Sequence, residues 1–366
     1  MTFLYNIIEM NIETNNMTDI GKKDEKSNFR ERELAKLIES LKDNETIHYL
    51  HSGDMGDILA GLESVKELFN LTGKRGVLHL DFSNGLETGP NRNVREILVN
   101  ATVGKGLKFN RKSYEFLRPL LIAQPYIEDV VPYSESDESL INVNLNVFRR
   151  FSALRDVNEK LFSNLMYCQQ LTCFLAPGYR GPWLTLPPGV SESVELPVNS
   201  EGKTRNFAVS RSSRYQSCQI FLSSIVPILE AEGFFIGTEL EYESFIDSTR
   251  IDRDKFPRVE VWSALDIAAI QFRCQHVLAN ATLSYWTAVG IGAKVIHELP
   301  ASEMLFSTYM PECRNTLFLH SDNTVSFDFE KMSRSERSML DIINGNLRGG
   351  DGKEKEKEKE EEGNGK

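Results

Sequence analysis

Two aspartates carry the strongest chemical signal in this chain: Asp54 and Asp57, in the run His51-Ser52-Gly53-Asp54-Met55-Gly56-Asp57-Ile58. The apolar run Ile47 to Leu50 precedes them, and a helical pattern extends to Phe69. A strand, a glycine-rich turn and a helix in succession expose side chains at the carboxyl end of a parallel strand, where ligands of open α/β sheets collect against helix N-termini. The turn therefore reads as facing phosphate or sugar, with Asp57 the foremost candidate and Ser52, Gly53, Asp54 and Gly56 around it. The plainer alternative makes Asp57 a capping or first-turn acid, favoured by backbone N–H groups and by the helix dipole. Gly53, Gly56 and Gly61 miss the GxGxxG spacing and no Lys-Ser/Thr pair follows, so neither a dinucleotide fingerprint nor a P-loop is present.

To hold such a turn the chain needs parallel strands with covering helices, and its apolar periodicity supplies them. From Thr46 to about Pro188 the pattern reads strand (Ile47–Leu50), helix (Asp57–Phe69) and strand (Gly76–Asp81). A helix carrying Tyr114, Phe116, Leu117, Leu120 and Leu121 follows, then a strand at Ile127–Pro132. A second α/β unit starts at Asn206, with strands Phe207–Ser210, Phe234–Ile236, Val259–Trp262, His276–Ala279 and Lys294–Glu298. Helices Gln219–Ala231, Leu240–Ile246, Ala264–Cys274 and Thr282–Gly290 alternate with them, which predicts a parallel sheet with helices on its faces. The expected division is an N-terminal extension at 1–45 with a short helix Glu31–Lys42, a Rossmann-like domain at 46–190, and a linker at 191–205. A second Rossmann-like domain at 206–330, a C-terminal helix at 331–347 and a disordered charged tail at 348–366 complete it.

A chain of 366 residues exceeds what one hydrophobic core organises, and 40% hydrophobic content can fill two. A net charge of -11 argues against a protein built to grip nucleic acid through its phosphates, although a local basic groove is compatible with it. Cys168, Cys173, Cys218, Cys274 and Cys313 show no CxxC spacing, and the six histidines show no HxH or HExxH spacing, so no metal site is expected. No Gly-x-Ser-x-Gly elbow is present, which argues against an α/β-hydrolase. The first residues lack a basic n-region and no stretch approaches a membrane span, so a cytoplasmic location is expected.

Met55-Gly56-Asp57-Ile58-Leu59, with Leu62, resembles the N-terminal motif of the heptosyltransferases, glycosyltransferase family 9, in which a Gly-Asp turn leads into the first helix of a GT-B fold. Glu63 stands where that family usually has proline. The segment HVLANATLSYWTAVGIGAKVIHEL resembles the family's strand, Asp-Thr/Ser-Gly-Leu-Ser-His loop and small-residue helix. Asn280, Ala281 and Thr282 fall at Asp-Thr-Gly, Leu283 and Ser284 match, and Tyr285 replaces the histidine. Ser210-Arg211-Ser212-Ser213-Arg214 resembles the family's Thr-x-x-x-Lys loop, with Arg214 at the lysine.

These resemblances imply an α/β, GT-B-like fold of two Rossmann-like domains facing each other across a cleft. They imply an inverting, metal-independent glycosyltransferase with no cofactor beyond its nucleotide-sugar donor, and a sugar or glycoconjugate acceptor. Asp57 becomes the general base, and Ser52, Gly53, Asp54 and Gly56 the acceptor loop. Donor contacts fall on Ser210, Arg211, Arg214, Glu239, Trp262, Asn280, Thr282 and Ser284. Guanidinium forks suit a diphosphate, and a helix starting near Thr282 offers it N–H groups and a positive dipole end. Glu239 suits ribose hydroxyls and Trp262 a stacked base. Each has a plainer reading: surface arginines paired with acids, a cap for Glu239, a core position for Trp262. The alternative functions are a glycosyltransferase of hydroxymethylated DNA bases, a sugar-nucleotide epimerase, and a catalytically silent GT-B-like binding protein.

Overall fold

A computed structural model describes residues 23–81, 109–148, 164–212, 216, 219–299, 308, 310, 312–319 and 325–326. Its main helices are α1 (Lys23–Leu41), α2 (Met55–Thr72), α3 (Arg111–Ile122), α4 (Leu165–Thr172), α5 (Gln219–Glu232), α6 (Glu239–Thr249), α7 (Ala264–Arg273) and α8 (Leu283–Gly290). The chain divides into two compact units, one of residues 1–82 with 125–178, the other of 83–124 with 179–366.

In the first unit, strands β1 (Ile47–His51), β2 (Gly76–Leu80), β3 (Ile127–Pro132) and β4 (Val143–Asn144) lie parallel in the order β3-β2-β1-β4. Helix α2 starts after Asp54 and ends at Gly73, whose left-handed backbone (φ 70°) turns its N–H onto the Phe69 carbonyl. Leu59, Leu62, Val65 and Leu68 recur every third residue along α2 and, with Ile58, are buried, partly against α4.

In the second unit, strands β5 (Phe207–Ser210), β6 (Gly233–Ile236), β7 (Arg258–Val259), β8 (His276–Asn280), β9 (Val295–Glu298), β10 (Thr316–Leu319) and β11 (Val325–Ser326) form one sheet. Its order is β11-β10-β9-β8-β5-β6-β7, with every pairing parallel except that of β10 with β11. Counted within the unit, β7-β6-β5-β8-β9-β10 is 3-2-1-4-5-6, the order of a Rossmann sheet, and it reverses between β5 and β8. Strands β5, β6 and β9 are buried residue after residue, as a sheet covered on both faces demands. Phe207, Val209, Leu222, Leu229, Phe235, Phe245 and Phe256 share one core. The α/β class with two parallel sheets is thus as the sequence predicts.

The differences are local. Helix α1 begins at Lys23, eight residues before the expected Glu31. Helix α2 begins at Met55, so Gly56 lies in its first turn rather than in a loop. Strand β7 ends at Val259, before Trp262. Strands β4, β10 and β11 and helix α4 were not expected; β4 is two residues long and exists by pairing with β1, which no local pattern announces. Helix α3 packs its buried Leu117, Leu120 and Leu121 within the second unit, where α7 is its neighbour. The expected C-terminal helix and charged tail lie outside the described residues. Among the described residues no helix is long and apolar enough to cross a membrane.

Candidate functional site

At the carboxyl end of β1 the chain enters α2 through a turn wired from several sides. Asp54 is the N-cap in extended conformation, and its N–H donates to Asp57 Oδ2 at 3.2 Å. Asp57 occupies the third helical position and closes a capping box, as the plainer reading of a first-turn acid has it. Ser52 donates its N–H and its hydroxyl to Asn146 Oδ1, at 2.6 and 2.8 Å. Gly53 donates its N–H to His51 Nδ1 at 2.9 Å. A Cβ on Gly53 would lie 2.5 Å from His51 Cε1 and 2.6 Å from Asp57 Cβ, so this close approach requires glycine. His51, just before the turn, is fully buried and faces Gln169 rather than a ligand. Glu63, at the family's proline position, is also buried and accepts from Gln170 Nε2 at 2.5 Å.

At the second sheet's carboxyl edge, the residues that follow adjacent strands β5 and β8 interlock. Ser210 Oγ and Ser284 Oγ share a hydrogen bond of 2.6 Å. The buried Asn280 clamps Ser212, donating from Nδ2 to its carbonyl at 2.9 Å and accepting its N–H at 3.3 Å. An aspartate there, as in the family, would face the Ser212 carbonyl with an acceptor. Thr282 is the N-cap of α8, and its hydroxyl donates to the Asn280 carbonyl at 3.2 Å. The first turn of α8 therefore directs its N–H groups toward this edge, with the dipole's positive end behind them.

Arg211 departs from the expected role as a diphosphate ligand. Its side chain is buried and forks onto Glu298 at the end of β9, with Nε to Oε2 at 2.5 Å and Nη2 to Oε1 at 2.9 Å. It is an arginine paired with an acid, but in the interior rather than on the surface. Arg214 lies outside the described residues. Glu239 opens α6 but does not cap it, since Thr238 and Glu241 form the capping box; its carboxylate meets Arg258 Nη2 at 3.1 Å. Trp262 is 78% exposed, which excludes the core reading. Tyr285, at the family's histidine, turns inward: its hydroxyl donates to the Thr308 carbonyl at 2.7 Å and its ring stacks on His297 at 3.8 Å. The strand order β7-β6-β5-β8 brings the segments that carry Trp262, Glu239, Ser210 and Asn280 to Ser284 off four successive strands, whose axes span about 15 Å, three interstrand spacings.

Among the described residues, two buried thiols and a buried histidine are held in their neutral forms, and a histidine pair lies in a line with an aspartate. Burial pushes the Cys173 and Cys274 thiols up to about 12, which removes them as nucleophiles. Burial also lowers His297 to about 3, against the opposing effect of its bond to the Ala279 carbonyl. His48 Nδ1 lies 2.9 Å from His79 Nε2, and His79 Nδ1 lies 3.6 Å from Asp137 Oδ2, a chain rather than a cage. Among the described residues no three His, Cys, Asp or Glu side chains could hold a metal ion together. Gln169, Asn146 and Glu298 belong to these edges through contacts 87 to 118 residues apart, with no local signal to announce them.

No family model matches this chain. No curated protein matches it either. Among solved structures it is similar to a family 9 glycosyl transferase from Veillonella parvula, at 8% identity, 76% of this chain, 86% of the other and a TM-score of 0.45. It is similar to the Escherichia coli heptosyltransferase WaaC with ADP-2-deoxy-2-fluoro heptose, at 10% identity, 75% and 92% coverage and a TM-score of 0.44. It is similar also to the iron-containing dodecameric glycosyltransferase TibC of enterotoxigenic E. coli H10407, at 10% identity, 74% and 62% coverage and a TM-score of 0.44.

Proposed function

We propose that this protein is a glycosyltransferase that moves a sugar from a nucleotide-activated donor to an acceptor hydroxyl, inverting the sugar and using no metal, in the cytoplasm. The row along the second sheet's carboxyl edge supports this reading most directly. Trp262 stacks the base, Glu239 meets the ribose hydroxyls, and Ser210, Arg214 and the α8 start hold the diphosphate. Asp57 takes the proton of the acceptor hydroxyl as its oxygen attacks the anomeric carbon. The bond to the diphosphate oxygen breaks with its electron pair, and the α8 end offsets the charge that develops there. Arg211 serves by bracing β5 against β9 rather than by touching phosphate.

The inward turn of Tyr285 favours a second reading, a silent binding protein with the same nucleotide preference. Calorimetric titration with ADP-heptose, UDP-glucose and GDP-mannose, followed by assay for released nucleotide, separates the two. Binding with turnover supports the enzyme, binding without turnover the silent protein, and no binding sinks both. Trp262→Ala is expected to weaken the preferred nucleotide by about 0.5–1.5 kcal/mol, the worth of one aromatic stack.

A further inference from the structure

Behind the Asp57 turn, buried groups form a one-way chain of hydrogen bonds that proton abstraction by itself does not require. Gly53 N–H donates to His51 Nδ1 at 2.9 Å, His51 Nε2 lies 3.1 Å from Gln169 Oε1, and Gln169 Nε2 donates to the Asp57 backbone carbonyl at 2.6 Å. The last contact fixes the sense of the others. A carbonyl only accepts, so the amide nitrogen faces Asp57 and the amide oxygen faces His51; His51 must then donate from Nε2 and accept at Nδ1. Both Gln169 and His51 are fully buried.

Gly61 belongs to the same arrangement. It sits one helical turn beyond Asp57, and a Cβ there would lie 2.1 Å from Gln169 Oε1. Only a glycine admits the amide to the helix at this point. The glycines at 53 and 61 thus serve one purpose, the close passage of His51 and Gln169 past the turn.

We infer that Gln169 is a positioning residue for Asp57. Its amide ties the last residue of β1, the Gly53 turn and the first turn of α2 together, so buried bonds set the place of the carboxylate. The exposed Asp54 N–H, which donates to Asp57 Oδ2 at 3.2 Å, adds to that setting. Gln169 touches no substrate, and the inference rests on the reading of Asp57 as the base.

Gln169→Met keeps volume and removes both bonds. With ADP-heptose as donor, kcat is expected to fall about ten- to hundredfold, the scale of a displacement near 1 Å, while donor KM stays within about twofold. Amide hydrogen exchange from Gly53 to Ile58 should quicken. Gly61→Ala, which displaces the amide without removing it, should give the same pattern, and adding it to Gln169→Ala should change nothing further. If Gln169→Met does not fold, Gly61→Ala carries the test. Unchanged exchange in the variant overturns the wiring, and unchanged kcat beside an active wild type overturns the positioning role. A wild type that turns over no nucleotide sugar means instead that the base reading has failed, and the exchange measurement then decides whether Gln169 holds the turn.

Discussion

Each sheet edge rests on a buried histidine, and the two are wired in opposite senses. His51 ends β1 and accepts the Gly53 N–H at Nδ1, so its proton sits on Nε2. His297 lies in β9 with Nδ1 3.0 Å from the Ala279 carbonyl and Nε2 2.7 Å from Thr308 Oγ1. That carbonyl only accepts, so His297 carries its proton on Nδ1 and takes the threonine hydroxyl at Nε2. The backbone decides the tautomer: the first ring serves a turn that offers a donor, the second a strand end that offers an acceptor. The edges differ again in charge. In the first unit a carboxylate sits on a turn braced from behind by the neutral His51 and Gln169 side chains, whereas the second carries a buried ion pair, Arg211 with Glu298. Damage to the first should therefore appear in turnover, and damage to the second in stability.

The largest expected effect tests that asymmetry directly. Arg211→Met takes the guanidinium fork away from the buried Glu298 carboxylate and should destabilise the protein by about 3–5 kcal/mol, read by denaturant unfolding. Adding Glu298→Leu should recover most of the loss, because apolar replacement of a buried pair is often neutral or better. A single variant as stable as wild type would erase the contrast between the edges. Asp57→Asn should keep the fold, since the amide oxygen still accepts the Asp54 N–H, yet lower turnover about 100-fold or more, near 2.7 kcal/mol of barrier. Near-wild-type turnover in the folded variant refutes the base assignment.

The smallest effect is one of pH. His297 is held at about 3, below its unfolded value of about 6.5, so neutral His297 contributes stability above pH 6.5 that is lost as pH falls toward 3. From pH 7 to pH 5 wild type should lose about 2 kcal/mol more than His297→Gln, measured by unfolding at both pH values. Parallel losses in the two proteins would mean that His297 is not held neutral.

Much of the second sheet was legible because its strands are apolar runs between helical periods: β5 falls on Phe207–Ser210 as predicted, and β8 extends the predicted run by one residue. Period and composition do not report partners, however. Arg211 looks the same in sequence whether it meets a phosphate or Glu298, and Trp262 looks the same in a core or 78% exposed. His51 and Gln169 are 118 residues apart and meet only because α4 packs on α2.

By itself the sequence determined the α/β class, the strand-turn-helix at Asp57 and the helix start at Thr282, since these follow from periodicity, glycine placement and capping within a few residues. Tertiary structure alone decided which polar groups are already satisfied: the Arg211 fork, the Asn280 clamp on Ser212, the inward Tyr285 and the Gln169 bridge. The physical reason is that a hydrogen bond or ion pair depends on the direction and burial of both partners. Chain distance carries neither.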